Sequence, residues 1–242
     1  MKKTLLAVLL TAAIAVGSYS TDAGAADFKA KGAVVAANAS SPWMIRLRAL
    51  VVVPNNDVTF DQMPGAGAGW NTAVVPELDI TYFFTPNVAA ELILGVTRHS
   101  ATGKGIATSG AYAGTDLNGL AVGKSWLLPP TLLLQYHFTG LGAFKPYVGA
   151  GVNYTVFFSQ QPGNVANNGV TITRLHFRNS FGAAAQAGFD YMIDRHWGVN
   201  VDVKKFYLRP NFDADANSGA IPLTGTAKLD PWLIGVGVTY RM

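Results

Sequence analysis

A strict alternation of polarity runs through Trp197-Gly-Val-Asn-Val-Asp-Val-Lys204. Successive side chains of a β-strand point to opposite faces, so Trp197 and the three valines share one face. Asn200, Asp202 and Lys204 share the other. A lipid-facing Arg or Lys costs about 2–4 kcal/mol at the bilayer midplane. The alternation in this segment places no charged residue on the apolar face. The segment therefore predicts a transmembrane strand with a polar inner face.

Seven further runs with the same period of two accompany this segment. The predicted strands cover residues 43–53, 73–84, 88–98, 120–138, 143–158, 180–193, 197–207 and 228–242. Their connections alternate strictly between long (54–72, 100–119, 159–179 and 208–227) and short (around Pro86, Leu141 and Arg195). Outer-membrane barrels have this arrangement. The predicted fold class is all-β: an eight-stranded antiparallel transmembrane β-barrel with four long extracellular loops and three short periplasmic turns.

The first 25 residues predict the compartment. Lys2 and Lys3 precede an apolar run from Leu5 to Val16, and Ala23-Gly24-Ala25 supplies small residues for a cleavage site. This pattern is typical of a secretory signal peptide. An N-terminal membrane anchor is the alternative, disfavoured because the apolar run is short. We expect residues 1–25 to be removed and residues 26–242 to form one barrel in the Gram-negative outer membrane.

The composition narrows the class of protein further. Only 13% of the residues are charged, and cysteine is absent, which excludes a disulfide framework and thiol chemistry. The formal net charge of +4 becomes +3 once Lys2, Lys3 and Asp22 are removed, and so small an excess does not indicate a nucleic-acid partner. An apolar chain without a segment suited to a membrane helix is either a β protein with a large core or a membrane barrel.

In each predicted strand, alternate residues point into the barrel. The charged residues among them are predicted to meet in the lower, periplasmic half. The set comprises Arg46, Arg48, Glu77, Asp79, Glu91, Asp190, Asp202, Lys204 and Arg241. An eight-stranded barrel has room only for its own side chains or for one small ligand. Because unpaired buried charges are costly, we expect a charge-paired network that closes the lower lumen. A purely structural role for that network is the alternative.

Toward the extracellular end, the residues predicted to point into the barrel are apolar. They are Leu50, Val52, Val75, Ile93, Leu127, Phe157, Phe206 and Leu233, and they predict a hydrophobic upper lumen that is open to the outside. Pro129 and Pro130 interrupt the fourth predicted strand, and a proline cannot donate to a β-ladder. We expect a bulge or an unpaired notch there. It is either a simple bend or an opening through which an apolar solute leaves sideways into lipid.

Aromatic residues cluster near the predicted short turns. They are Tyr82, Phe83, Phe84, Tyr136, Phe138, Tyr191, Trp197 and Tyr240. Amphipathic rings favour the membrane–water boundary, so we interpret the cluster as a periplasmic girdle. The closed core end of a soluble barrel is the alternative.

The chain resembles the OmpW family of outer-membrane proteins over nearly the whole of residues 26–242. The resemblance is carried by Trp126-Leu-Leu-Pro-Pro-Thr-Leu-Leu-Leu-Gln-Tyr-His-Phe138, Lys145-Pro-Tyr-Val-Gly-Ala-Gly-Val-Asn-Tyr-Thr-Val-Phe-Phe158, Asn179-Ser-Phe-Gly182, Gln186-Ala-Gly-Phe-Asp-Tyr191, Leu229-Asp-Pro-Trp232 and Gly237-Val-Thr-Tyr-Arg-Met242. It implies an eight-stranded barrel whose hydrophobic lumen admits small apolar molecules, with no catalytic or metal-binding residues. Such barrels usually end in Phe, which the assembly machinery reads, whereas this sequence ends in Met242.

Three functions compete at this point. The leading hypothesis is a channel for passive uptake of small hydrophobic molecules. The second is a barrel that stabilises the envelope or presents its loops to phage, host or antibody. An enzyme is the third and is disfavoured, since His99 with Ser100 and His176 with Ser180 are the only nucleophile–base candidates.

The predicted partners follow from the leading hypothesis. They are outer-membrane lipid, small hydrophobic solutes and, through the C-terminal strand, the barrel-assembly machinery. No cofactor and no metal are expected, and the oligomeric state is left open.

Overall fold

The computed structural model describes residues 41–55 and 57–242, so the predicted signal peptide and residues 26–40 lie outside the described part. The described residues contain a short 3-10 turn, Asn217–Gly219, and fifteen strands: β1 (Trp43–Val53), β2 (Asp57–Phe60), β3 (Gly67–Trp70), β4 (Ala73–Phe83), β5 (Val88–Gly95), β6 (Thr97–Lys104), β7 (Ala121–Leu128), β8 (Thr131–His137), β9 (Phe144–Pro162), β10 (Ile172–Phe177), β11 (Ser180–Met192), β12 (Trp197–Tyr207), β13 (Asn211–Ala216), β14 (Ile221–Lys228) and β15 (Trp232–Arg241). None of the described residues belongs to a helix long and apolar enough to cross a membrane.

Eight of the described strands close into an antiparallel barrel, as predicted. Their order is β1-β4-β5-β8-β9-β11-β12-β15, and β15 pairs again with β1. The closing pair joins Met44 to Arg241 at one end and Val53 to Trp232 at the other, with no register shift between them. A closed barrel leaves no unpaired edge, which is what lipid requires of a β structure.

The alternation in β12 divides lipid face from lumen. Trp197, Val199, Val201 and Val203 are exposed, and the polar residues between them are buried. Asn200, Asp202 and Lys204 have no exposed surface at all, although each is polar or charged. Apolar side chains outside and polar ones inside are the pattern of a membrane barrel and the reverse of a water-soluble one.

Three short turns lie at one end of the barrel, which we name the periplasmic end after the arrangement in outer-membrane barrels. Gly140 and Gly142 adopt φ values of 87° and 64° in the turn between β8 and β9, a conformation that favours glycine. In the turn before β12, the carboxylate of Asp194 accepts the backbone N–H groups of His196 and Trp197, both at 2.7 Å. These two hydrogen bonds lower the pKa of Asp194 below its usual value.

Most of the aromatic residues assigned to the girdle surround this end with their rings outward, including Phe84, Tyr136 and Trp197. Phe83 is an exception, and its assignment was wrong. Its side chain is buried inside the barrel with Met44 and Ala89, because it has the inward parity of β4.

Each of the four long connections contains strand residues, such as β2 and β3 in the first of them. At the extracellular end a second sheet continues the barrel in the order β10-β13-β14-β2-β3-β6-β7-β9. Its two edges, β9 and β10, are bridged by the side chain of Gln160, which accepts from the N–H of Phe177 at 2.5 Å and donates to its carbonyl at 3.1 Å. The extension encloses its own apolar core of buried residues, among them Phe60, Met63 and Phe212.

Two of the predicted strands are divided at the height where the membrane barrel meets this extension. The strand predicted over 120–138 separates into β7 and β8 at Pro129 and Pro130, and the one predicted over 88–98 separates into β5 and β6 at Val96. The strand predicted over 143–158 instead continues to Pro162 and belongs to both sheets. The proline pair therefore ends one ladder and begins another, as its missing N–H groups require.

Candidate functional site: a charged plug beneath an apolar cavity

The lower lumen is filled by charged side chains that point inward from different strands. Arg46 on β1 binds Asp190 on β11 through two parallel hydrogen bonds, Nε to Oδ1 at 3.0 Å and Nη2 to Oδ2 at 2.7 Å. Its third nitrogen donates to Glu91 at 2.7 Å and to Thr81 at 3.2 Å. The fork of a guanidinium matches a carboxylate in this way, so Arg46 clamps β1, β5 and β11 together across the lumen.

Arg48 lies one layer higher and contacts a different set of acids. Its Nη1 donates to Glu77 at 2.8 Å and also forms an ion pair with Asp79, while Nε donates to Asn200 at 2.6 Å. Lys204 completes the layer, with Nζ 2.7 Å from Glu77 and 2.6 Å from Asp202. The side chains of both cations are fully buried, so each depends on these partners to offset the loss of hydration.

Neutral polar groups connect the two layers. The Tyr147 hydroxyl donates to Asp202 at 2.9 Å and accepts from Asn200 at 3.1 Å, and the Arg46 guanidinium lies 4.7 Å above its ring. A Cβ at Gly188 would stand 2.6 Å from the Tyr147 oxygen, so this glycine provides the space for the ring. Tyr147 was not among the residues predicted for the network, although its place among the inward-pointing residues of the fifth predicted strand was a usable signal.

Eight of the nine predicted network residues form this plug; in the described chain they are Arg46, Arg48, Lys204, Glu77, Asp79, Glu91, Asp190 and Asp202. The ninth, Arg241, lies apart from it. Its guanidinium stacks 4.2 Å from the centre of the Phe83 ring, and it lines a separate cavity of about 360 Å³ at the periplasmic mouth. As the last residue of β15 it lies at the mouth, one layer below the acids that pair with Arg46.

An apolar cavity of about 60 Å³ lies directly above the plug. Its wall is drawn from most strands at the junction of the two sheets and consists of Leu50, Val52, Pro54, Trp70, Val75, Pro76, Glu77, Ile93, Gly95, Thr97, His99, Leu127, Pro129, Thr155, Phe206, Leu208, Leu229, Pro231 and Leu233. The volume corresponds to a few water molecules, so only a slender solute fits without movement of the wall.

Seven of the eight predicted lumen residues line this cavity: Leu50, Val52, Val75, Ile93, Leu127, Phe206 and Leu233. Phe157 does not, because it lies higher and stacks on Phe177 with ring centres 5.5 Å apart. The wall is completed by Leu208, Leu229 and Pro231, which were not predicted because they lie in a predicted loop or at the end of a predicted strand. The ladder break is at the same height, and Pro129 is part of the wall.

The upper lumen is covered rather than open, contrary to the expectation from sequence. Trp70, Leu127, Leu208 and Leu229 line the cavity and also belong to the apolar core of the extracellular extension. The cavity is therefore a compartment between a charged floor and an apolar roof. Trp70 and Leu208 lie in segments that were predicted as loops, so the sequence pattern did not place them over the barrel.

The first nucleophile–base candidate, His99 with Ser100, is separated by the alternation of its strand. His99 is buried and faces inward, whereas Ser100 is part of the opposite face of β6. His176 is exposed. Within the described residues, no group of three or more His, Asp or Glu side chains is arranged to hold a metal ion.

The closed barrel, its apolar lipid face and its buried charges define an outer-membrane β-barrel protein of a Gram-negative bacterium. The chain belongs to the OmpW family, whose model matches residues 39–242. It is 46% identical over 235 residues to an uncharacterised outer-membrane protein of Sinorhizobium fredii, an alignment that covers 96% of this chain and 95% of that relative.

Two further relatives support the same placement. Outer membrane protein W of Vibrio cholerae is 31% identical over 220 residues, with 86% of this chain and 96% of that protein covered. The crystal structure of OprG from Pseudomonas aeruginosa has a TM-score of 0.70 and 28% identity, with 84% of this chain and 97% of that chain covered. The similarity to these relatives therefore extends over most of both chains.

Proposed function

We propose that this protein carries small hydrophobic molecules passively across the outer membrane. The observation that supports the proposal is the cavity itself, which has an almost entirely apolar wall and lies above the charged plug. Protein interiors are close-packed, and a void left in a core costs stability, so a void lined by aliphatic side chains requires an explanation. A binding compartment for an apolar solute provides one.

The charged plug sets the direction in which such a solute moves. Arg46, Arg48 and Lys204 with their acids fill the lower lumen, and an apolar molecule that displaced them would leave buried charges without partners. Straight passage to the periplasm is therefore unfavourable. We propose that the solute leaves sideways into the lipid.

A gap in the barrel wall supports this lateral route. Ile93 pairs with Thr131, and Thr97 pairs with Leu127, but in the described chain no ladder pair joins residues 94–96 to residues 128–130. Gly95 and Pro129 border the gap and also line the cavity.

The other side of the proline pair is closed. There the backbone N–H of Tyr154 donates to the carbonyl of Pro130 at 3.1 Å, and the side-chain amide of Asn153 donates to the carbonyl of Pro129 at 3.2 Å. The gap therefore lies between β5–β6 and β7–β8.

One observation favours the second hypothesis, a structural or surface-recognition barrel. The extracellular extension has a well-filled apolar core, and the cavity below it is narrow. A barrel of this kind would resist unfolding without moving any solute. The two functions differ in a single measurable property, which is whether the protein accelerates the transfer of a solute.

The direct test measures octane uptake by cells or lipid vesicles with and without the protein. We expect faster uptake with the protein, because the cavity offers a path that avoids the polar outer surface of the membrane. The wild-type protein should also show no large, stable ion conductance in planar bilayers, because the plug fills the lumen. Equal octane uptake with and without the protein would exclude the uptake function and leave the structural one.

The lateral route makes a separate prediction. Replacement of Pro129 and Pro130 by valine restores two backbone N–H donors. The one at position 129 faces residues 94–96, because the backbone of residue 130 already faces β9, and we expect octane uptake to fall several-fold as the gap closes. Pro222→Val in β14 is the matched control, because this proline is exposed in the extracellular sheet and does not line the cavity. An unchanged uptake rate in a correctly folded double variant would rule out the lateral exit.

The C-terminal strand is also the proposed contact with the barrel-assembly machinery. β15 pairs with both β1 and β12 and so closes the cylinder. A strand that completes closure is free of one partner until the last step of folding, which suits it to recognition during assembly.

A further inference from the structure

His99 introduces a polar group into the apolar cavity. Only 4% of the residue is exposed, and its ring is part of the cavity wall, edge-on to Trp70 with ring centres 6.3 Å apart. Nδ1 lies 2.9 Å from the backbone carbonyl oxygen of Asn71. A carbonyl only accepts hydrogen bonds, so Nδ1 carries the proton and Nε2 of the neutral ring is an acceptor.

Nε2 has no hydrogen-bond partner within the described part of the chain. Ser125 faces His99 across the β6–β7 pair. Its hydroxyl instead donates to the carbonyl of Trp126 at 3.2 Å. Burial also lowers the pKa of His99 below its usual value, so the ring stays neutral near pH 7 and Nε2 keeps its lone pair.

Thr97 adds a second polar group on the same edge of the cavity. It is two residues before His99 in β6, so both side chains point inward, about 7 Å apart along the strand. Thr97 is 7% exposed and lines the cavity with its neighbour. Its hydroxyl can donate or accept, which makes the pair a small polar edge in a wall that is otherwise almost entirely apolar.

The charges around the cavity exclude an ionic ligand. No Lys or Arg is part of its wall among the described residues, so a carboxylate or phosphate would find no counter-ion there. Glu77 at the floor is already bound to Arg48 and Lys204, at 2.8 Å and 2.7 Å, so a ligand cation would have to compete with both. The polar edge therefore suits an uncharged group that donates a hydrogen bond.

We propose that Thr97 and His99 form a subsite for the hydroxyl group of an uncharged amphiphile, such as a medium-chain alcohol, whose apolar chain occupies the cavity. This inference rests on the proposed uptake function and narrows its substrate class. The hydroxyl donates to Nε2 of His99 and also contacts the Thr97 hydroxyl. A pure alkane fits the same wall but leaves Nε2 without a partner, which is unfavourable for a buried polar group.

The test compares two probes of nearly equal shape, 1-heptanol and octane, which differ by a hydroxyl in place of a terminal methyl. Binding is measured by NMR titration of the refolded protein in lipid nanodiscs. We expect His99→Phe to weaken 1-heptanol binding by about 3- to 10-fold, the effect of one lost hydrogen bond, and to leave octane binding unchanged or slightly tighter. Thr97→Val keeps the side-chain shape, and should weaken only 1-heptanol binding, by a smaller factor.

His176→Phe is the matched control, because His176 is exposed on β10 and should affect neither probe. If His99→Phe does not fold, the Thr97→Val titration decides the question alone. Loss of 1-heptanol and octane binding to the same extent, or no loss of either, would overturn the subsite while the uptake function stands. Failure of the wild-type protein to bind either probe would instead contradict the proposed uptake function itself.

Discussion

Arg48→Met is expected to lower the free energy of unfolding by about 3–5 kcal/mol, the usual cost of removing one partner from a buried ionic network. The variant keeps much of the volume of the side chain but removes the charge that faces Glu77 and Asp79. Lys204 still pairs with Glu77, whereas Asp79 has no other cation within 4.0 Å in the described structure. The remaining carboxylates then repel one another in a lumen that is closed to bulk water.

The measurement is a urea titration of the protein refolded in lipid vesicles, followed by tryptophan fluorescence. Arg174→Met is the control, because Arg174 also binds two acids, Asp213 and Asp215, but its side chain is 55% exposed in the extracellular sheet. Exposed ion pairs contribute little, so this control should unfold like the wild type. If both variants unfold at the wild-type urea concentration, the plug does not hold the barrel together.

Arg48→Met also tests whether the plug seals the lumen against ions in addition to stabilising the barrel. Loss of Arg48 opens space beside Tyr147 and Asn200, both of which it contacts, and water can enter that space. We expect small ion currents in planar bilayers that the wild-type protein does not show. A destabilised variant without such currents would mean that the network is structural and that the remaining side chains still seal the lumen.

The sequence pattern predicted which residues form the plug, but it could not predict which of them pair with one another. The period of two assigned Arg46, Asp190 and Glu91 to the lumen, because a charge on the other parity would face lipid. Arg46 and Asp190 are 144 residues apart, and their contact depends on how β1 and β11 are placed around the barrel. Strand order and stagger are properties of the closed sheet, and no local pattern encodes them.

The cavity was harder to predict than the plug for a similar reason. Its lower wall comes from long transmembrane strands with a clear period of two, such as β1 with Leu50. Its roof comes partly from strands of four to eight residues, such as β3 with Trp70, and partly from residues between strands, such as Leu208 and Leu229. Short runs of this kind do not establish a period of two, so they resembled loops, and the upper lumen was predicted to be open.

Leu50→Trp is expected to reduce octane uptake to the level of vesicles without protein. Leu50 points into the cavity, and the void beside it is only about 60 Å³, so an indole ring in its place occupies the space that the solute needs. Overfilling a packed interior costs about 1–3 kcal/mol, which a closed barrel in lipid tolerates. The variant should therefore fold and insert but carry no solute.

Leu47→Trp is the matched control, three residues earlier on the same strand. Its side chain faces the lipid with 54% exposure, so the same substitution there adds a ring to the membrane surface and leaves the cavity unchanged. We expect wild-type octane uptake from this variant. If Leu50→Trp also carries octane at the wild-type rate, the solute does not pass through the cavity, and the apolar compartment is a packing feature of the barrel. If both variants lose uptake, the lipid-facing surface of β1 rather than the lumen controls the transfer.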